Sequence, residues 1–136
     1  MPEVRTAYHF VCRRVSYQLG ITGPSMVVDS ACSSSLVAAN LACSCLKECS
    51  QALVVGENLL LDPTTTVQYS QTQMMAADGQ CKTFDVAANG YVRSEGCVVI
   101  ALQVASKEGA SQQHMKMLAC QVNQDGNALV LLFCNP

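Results

Sequence analysis

One cysteine stands in an unusual setting. In VVDSACSSSLVAANLA, residues 27–42, Cys32 follows a β-branched run and precedes serines, alanines and leucines. If a strand ends and a helix begins at this point, the sulfur can do chemistry. The unpaired amides and positive dipole end of a helix favour a thiolate over a thiol. The same amides can hold the oxyanion that develops when a nucleophile attacks an acyl carbonyl. Ala31, Ser33, Ser34 and Ser35 are small enough to let backbone and substrate approach closely. The arrangement is that of a nucleophile elbow with sulfur in place of oxygen, without the glycines of the serine-hydrolase version. The plain alternative is that Cys32 is one inert apolar thiol among nine cysteines, as buried thiols usually are.

The remaining cysteines are Cys12, Cys43, Cys45, Cys49, Cys81, Cys97, Cys120 and Cys134. The total is odd and most sit in apolar segments. The opening MPEVRTAYHF has no secretory core, so reduced thiols are expected rather than a disulfide framework. Cys43, Cys45 and Cys49 lack CxxC spacing, and His9 and His114 form no paired motif. No metal site is therefore expected. Asp85 and Glu95 flank a turn-rich stretch and read as structural carboxylates, Asp85 binding local amides.

The elements that must position Cys32 follow from pattern. Residues 4–14 suit a helix. Gly23-Pro24 makes a turn, and residues 25–29 read as a short buried strand. Residues 31–48 read as one helix, apolar all round and hence buried, capped by Ser30 or a neighbouring serine. Its exit, LKECSQAL, contains no glycine and is expected to be strained. Residues 51–58 form the next strand. Buried strands bracketing a buried helix predict a parallel β-α-β unit in an α/β fold, and ligand sites in such sheets lie at the carboxyl ends of strands. A helix over 64–75, a turn at 77–79 and strands over 96–104 and 116–122 complete the reading.

Composition narrows the function classes. Of 136 residues, 50% are hydrophobic and only 13% are charged, a poor surface for a free-standing globule and a good one for a slab of a larger body. A net charge of −2 with no basic block argues against nucleic acid and anionic membranes as partners. No apolar run reaches the ~20 residues of a membrane span. A cytoplasmic location is expected, with an organelle such as a plastid still open.

Several blocks in order resemble a known family. GPSMVVDSACSSSLVAANLAC is similar to the active-site segment of β-ketoacyl synthases of the polyketide and fatty acid synthase type. RVSYQLGITGPS before it, DGQCKTFDVAANGYVRSEG after it, and VNQDG at residues 122–126 resemble the same family. The resemblance implies a thiolase-like α/β fold, incomplete, about one half of a two-half architecture. It implies that residues 1–126 are a partial ketosynthase domain and that 127–136 are a divergent tail. It casts Cys32 as the acyl-accepting nucleophile and a backbone oxyanion donor. The implied donor is a phosphopantetheine thioester on an acyl carrier protein, with no directly bound cofactor. A malonyl-type extender would then condense with loss of carbon dioxide. Pairing as a homodimer is implied where the domain is complete.

The family's two histidines lie beyond its VNQDG block, and His9 and His114 match neither motif. The 136 residues alone are thus expected to be inactive in condensation. The competing reading is a catalytically inert ketosynthase-like chain acting as a binding or scaffold module. A relative of thiolases or chalcone synthases is disfavoured by FDVAANGYVRSEG. Val55-Gly56 stands where the family has two glycines, and Ser94 replaces another.

Overall fold

The computed structural model describes residues 9–105, 115–124 and 126. The chain divides into two compact units, Met1–Val54 with Val99–Pro136, and Val55–Val98.

Helix α1 spans His9–Leu19. Gly20 ends it with φ of 64°. Ile21 N–H returns to the Ser16 carbonyl at 2.9 Å and Gly20 N–H to Tyr17 at 3.4 Å. This is the paired C-terminal closure that a left-handed glycine permits. The helix expected over 4–14 runs on to Leu19; residues 4–8 lie outside the described part.

The long helix expected over 31–48 is three pieces. A tight 3-10 turn covers Ala31–Ser33, helix α2 covers Ser34–Cys45, and a wound-down turn follows. In that turn Leu46 N–H reaches Ala42 at 3.0 Å, while Glu48 and Cys49 reach the Cys45 carbonyl at 3.0 and 2.9 Å. Leu46 stays right-handed, with φ −64°. The strain expected at the glycine-free exit is absent, because tightening the last turn satisfies the carbonyls without a left-handed residue.

Strand β1 spans Gln51–Asn58 and strand β2 spans Gly96–Gln103. They pair with each other as a two-stranded sheet. Asn58 donates its side-chain amide to the Ser94 carbonyl, and Leu60 N–H donates to the Glu95 carboxylate at 2.7 Å. The end of β1 thus lies beside the start of β2, the arrangement of an antiparallel pair. The parallel β-α-β unit expected around residues 31–48 is not formed among the described residues, because residues 25–29 join no ladder. Residues 25–29 and 116–122 carry strand-like sequence but join no ladder among the described residues. An apolar β-branched run specifies an extended chain; a strand also needs a neighbour to bond.

Helix α3 spans Pro63–Gln71. Asp62 caps it, its carboxylate accepting from Thr64 N–H at 2.6 Å, with Pro63 in the first helical turn. Hydrogen bonding from the Thr64 side chain, and then from its N–H, lowers the Asp62 pKa below its ordinary value. Gln73 turns left-handed, with φ 58°, which stops the helix short of the expected residue 75. The chain beyond it crosses Tyr91 instead. Ala76 N–H donates to the Tyr91 carbonyl at 2.9 Å, and Tyr91 N–H to Met74 at 3.1 Å.

Burial is sparse. Among the described residues the buried hydrophobics are Ala39, Val54 and Ala76. Leu36 on α2 is 73% exposed, and Val98 on β2 is 65% exposed. Apolar faces of helix and strand are uncovered, so the burial expected for the all-apolar helix over 31–48 and for the flanking strands is not found among the described residues. No helix among the described residues is long and apolar enough to cross a membrane.

The crossing at Tyr91 yields a test. Gly90 has φ of 137°, and a Cβ there would lie 2.5 Å from the Ala76 nitrogen and 2.7 Å from the Met75 carbonyl carbon. Gly90→Ala should destabilise the chain by at least about 1 kcal/mol, since backbone must move and φ is unfavourable. Urea unfolding followed by circular dichroism measures it; an unchanged midpoint would show that the crossing is not as tight as the geometry requires.

Candidate active site

The backbone around Cys32 departs from regular structure one residue before it. Ala31 is left-handed, with φ 57°. A residue with a Cβ adopts this region at a cost of roughly 1–2 kcal/mol, so something must hold it there. Side chains on both sides do. Asp29 accepts the Ala31 N–H on Oδ1 at 3.1 Å. Ser33 donates its hydroxyl to the Ser30 carbonyl at 2.9 Å, and its Oγ also lies 2.9 Å from Ser30 Oγ. Ser34 donates its hydroxyl to the Ala31 carbonyl at 2.6 Å and accepts the Ser30 N–H at 2.9 Å. The Ser34 N–H also returns to the Ala31 carbonyl. Every backbone polar group of Ser30 and Ala31 is therefore engaged.

Cys32 is the next residue, inside the 3-10 turn that leads into α2, and it is exposed. The expected serine cap takes another form. Ser30 and Ser33 occupy cap positions, yet neither side chain accepts an amide of the helix. Their hydroxyls bond each other and the preceding carbonyl, and Ser34 reaches backwards. The serines close the bend before the helix rather than capping the helix itself. A shallow hollow lined by Cys12, Arg13, Gly23, Ser25, Met26 and Val27 lies along the segment leading to this bend.

Sequence reasoning undervalued Asp29, Ser33 and Ser34. The serines counted as small neighbours or as helix caps, and Asp29 as a strand end. The pattern D-S-A-C-S-S did contain the signal, since an aspartate readily accepts the amide two residues on, and serines bond nearby backbone.

The other sulfurs sit in plainer surroundings. All described cysteines are free; Cys81 and Cys97 are exposed like Cys32, while Cys12, Cys43, Cys45, Cys49 and Cys120 are half-buried. Cys43 Sγ meets Met117 Sδ at 3.3 Å. Cys81 Sγ accepts the Val92 N–H at 3.1 Å. No group of metal-binding side chains forms among the described residues.

The charged residues of the second unit hold loops. Asp85 accepts the Ala87 N–H at 2.8 Å, as expected. Lys82 pairs with Asp78 and donates to Asn89 at 2.7 Å. The lysine's hydrogen bond holds the Asp78 carboxyl below its usual pKa. The Arg93 guanidinium lies 5.2 Å from the Tyr69 ring centre, and Tyr69 meets Tyr91 edge to face at 6.5 Å. His114 and the His9 side chain lie outside the described part.

Comparison with known proteins adds a family. The family model of the beta-ketoacyl synthase N-terminal domain matches residues 1–108. A phenolphthiocerol/phthiocerol polyketide synthase of Mycobacterium tuberculosis is 45% identical over 124 residues, covering 87% of this chain and 6% of that protein. An orsellinic acid synthase of Armillaria mellea is 40% identical over 123 residues, covering 88% of this chain and 6% of that protein. Among solved structures, the ketosynthase from module 6 of the bacillaene synthase of Bacillus subtilis superposes with a TM-score of 0.70 at 38% identity. It covers 77% of this chain and 19% of that one.

Exposure alone would make Cys32, Cys81 and Cys97 equally reactive. Placement at a helix start is expected to favour Cys32 by about two- to fivefold in rate. Iodoacetamide labelling of the folded chain, read by peptide mapping, should therefore modify Cys32 first. Cys81 is the stern control because an amide also faces its sulfur. Labelling of Cys32 no faster than Cys81 or Cys97 would remove the advantage.

Proposed function

Because this chain belongs to the β-ketoacyl synthase N-terminal domain family, we propose that Cys32 is its acyl-accepting nucleophile. The observation that carries the reading is an exposed thiol placed directly after a left-handed Ala31 and at the start of a helix. The chain spans about 6% of the length of the two synthases named above, so the activity of a whole synthase enters only as part of this proposal.

The step is an acyl exchange between sulfurs. The Cys32 thiolate attacks the thioester carbonyl of an acyl group carried on the phosphopantetheine of an acyl carrier protein. A C–S bond forms to Cys32 and the carbonyl oxygen gains charge. The Cys32 N–H, one of the first amides of the helix, is suited to donate to that oxygen. Collapse of the tetrahedral species breaks the old C–S bond, and the departing phosphopantetheine sulfur takes up a proton. In the family's second step a malonyl-type extender loses carbon dioxide. Its carbanion attacks the acyl carbon, expels the Cys32 sulfur and leaves a β-ketoacyl thioester. The same reading gives the chain an acyl carrier protein as a partner, and a second copy of itself where the domain is complete. It assigns residues 1–126 to the domain and 127–136 to a tail.

Acylation and condensation are separable in this chain, whose only histidines are His9 and His114. Incubation with an acyl thioester of N-acetylcysteamine should add one acyl mass, mapped to Cys32 and lost in Cys32→Ala. Adding a malonyl thioester should yield no β-ketoacyl product. Acyl mass spread over Cys81 and Cys97, or none at all, would overturn the nucleophile assignment. Measured condensation would overturn the separation.

A further inference from the structure

We propose that Asp29 and Ser34 are positioning residues of the Cys32 site, aiming the Cys32 amide by fixing the two peptide planes that flank Ala31. This deepens the acyl-transfer reading and rests on it.

The argument is geometric. The peptide between Ser30 and Ala31 is held at both ends, its carbonyl by Ser33 Oγ at 2.9 Å and its N–H by Asp29 Oδ1 at 3.1 Å. The peptide between Ala31 and Cys32 is held at its carbonyl, by the hydroxyl and the N–H of Ser34. Among the described residues no peptide bond is cis, so the carbonyl and N–H of one peptide point in opposite directions. Drawing the Ala31 carbonyl towards Ser34, at 2.6 Å, therefore turns the Cys32 N–H away from the helix that follows. Neither Asp29 nor Ser34 need touch an acyl group for this. Each sets the direction of a donor that does.

The inference separates two reactions of one sulfur. Alkylation by iodoacetamide is a displacement at saturated carbon and uses no oxyanion donor. Acyl transfer from a thioester uses one. Loss of the Ser34 hydroxyl leaves the Ala31 carbonyl on the Ser34 N–H alone, which loosens the Ala31–Cys32 peptide and the aim of its amide while leaving the sulfur in place. Loss of the Asp29 carboxylate leaves the preceding peptide held only at its carbonyl, by Ser33, and should act in the same direction, more weakly.

The test measures both rates on the full 136-residue chain across pH. Ser34→Ala should lower acyl transfer from an N-acetylcysteamine thioester to Cys32 by about tenfold, part of the roughly hundred- to thousandfold cost of losing an oxyanion donor outright. Its alkylation rate should stay within about twofold of the parent chain. Ser34→Thr, which keeps the hydroxyl, should restore acyl transfer. Asp29→Asn, which keeps an oxygen at the same place, should do so relative to Asp29→Ala. Equal acyl-transfer rates in the parent, Ser34→Ala and Asp29→Ala would overturn the positioning role while the nucleophile assignment stands. So would a parallel fall in both reactions, which marks a general collapse of the bend. If Ser34→Ala loses its circular dichroism signal, the Asp29 pair carries the same comparison. Failure of the parent chain to accept the acyl group at all would overturn the underlying reading, and this inference with it.

Discussion

The structure around Cys32 depends on one unfavourable dihedral. Ala31 sits at φ 57°, a region that alanine avoids because its Cβ crowds the neighbouring carbonyl. A bend of this kind survives only where its surroundings over-determine it. Here they do so through short polar side chains in immediate sequence, Asp29, Ser33 and Ser34. Each such bond contributes only about 0.5–1.5 kcal/mol net, less when exposed, so no single one outweighs the strain. The bend exists because several act on the same two peptide groups.

How much of this was legible in sequence depends on whether a feature is local. The position of Cys32 before a helix, the extents of β1 and β2 and the Asp62-Pro63 start of α3 follow from neighbouring residues, and pattern reading finds them to within a residue or two. So does the role of Asp85, whose bond to Ala87 spans two positions. Residues 25–29 and 116–122 are different. Their β-branched character is real, but a ladder is a property of two segments, and pattern reading sees one at a time. The antiparallel register of β1 and β2 was hidden for the same reason. It is fixed by Asn58 with Ser94 and Leu60 with Glu95, contacts separated by 36 and 35 residues.

The glycines divide in a similar way. Gly90 is required because Ala76 and Met75 pass within 3 Å of where its Cβ would be, a contact no local pattern announces. The exit of α2 shows the reverse. A missing glycine in LKECSQAL suggested strain, yet the chain leaves the helix through a tight right-handed turn at Leu46. A glycine is one way to satisfy the last carbonyls of a helix, and winding down to a shorter repeat is another.

That contrast bears on why position 31 is an alanine. Glycine would enter the left-handed region without penalty, and the bend would form more easily. It would also form less definitely, since glycine visits a wide range of dihedrals on both sides of zero. An alanine confined to the small left-handed well has less room to drift. Its methyl group therefore narrows the backbone while the hydrogen bonds of Asp29 and Ser34 offset the cost. On the proposed role of Cys32, in which its thiol meets a carbonyl carbon at one angle while its amide meets the oxygen, a narrow well serves better than an easy one. Acyl transfer depends on direction to within a fraction of an ångström, and direction here is set one residue before the sulfur.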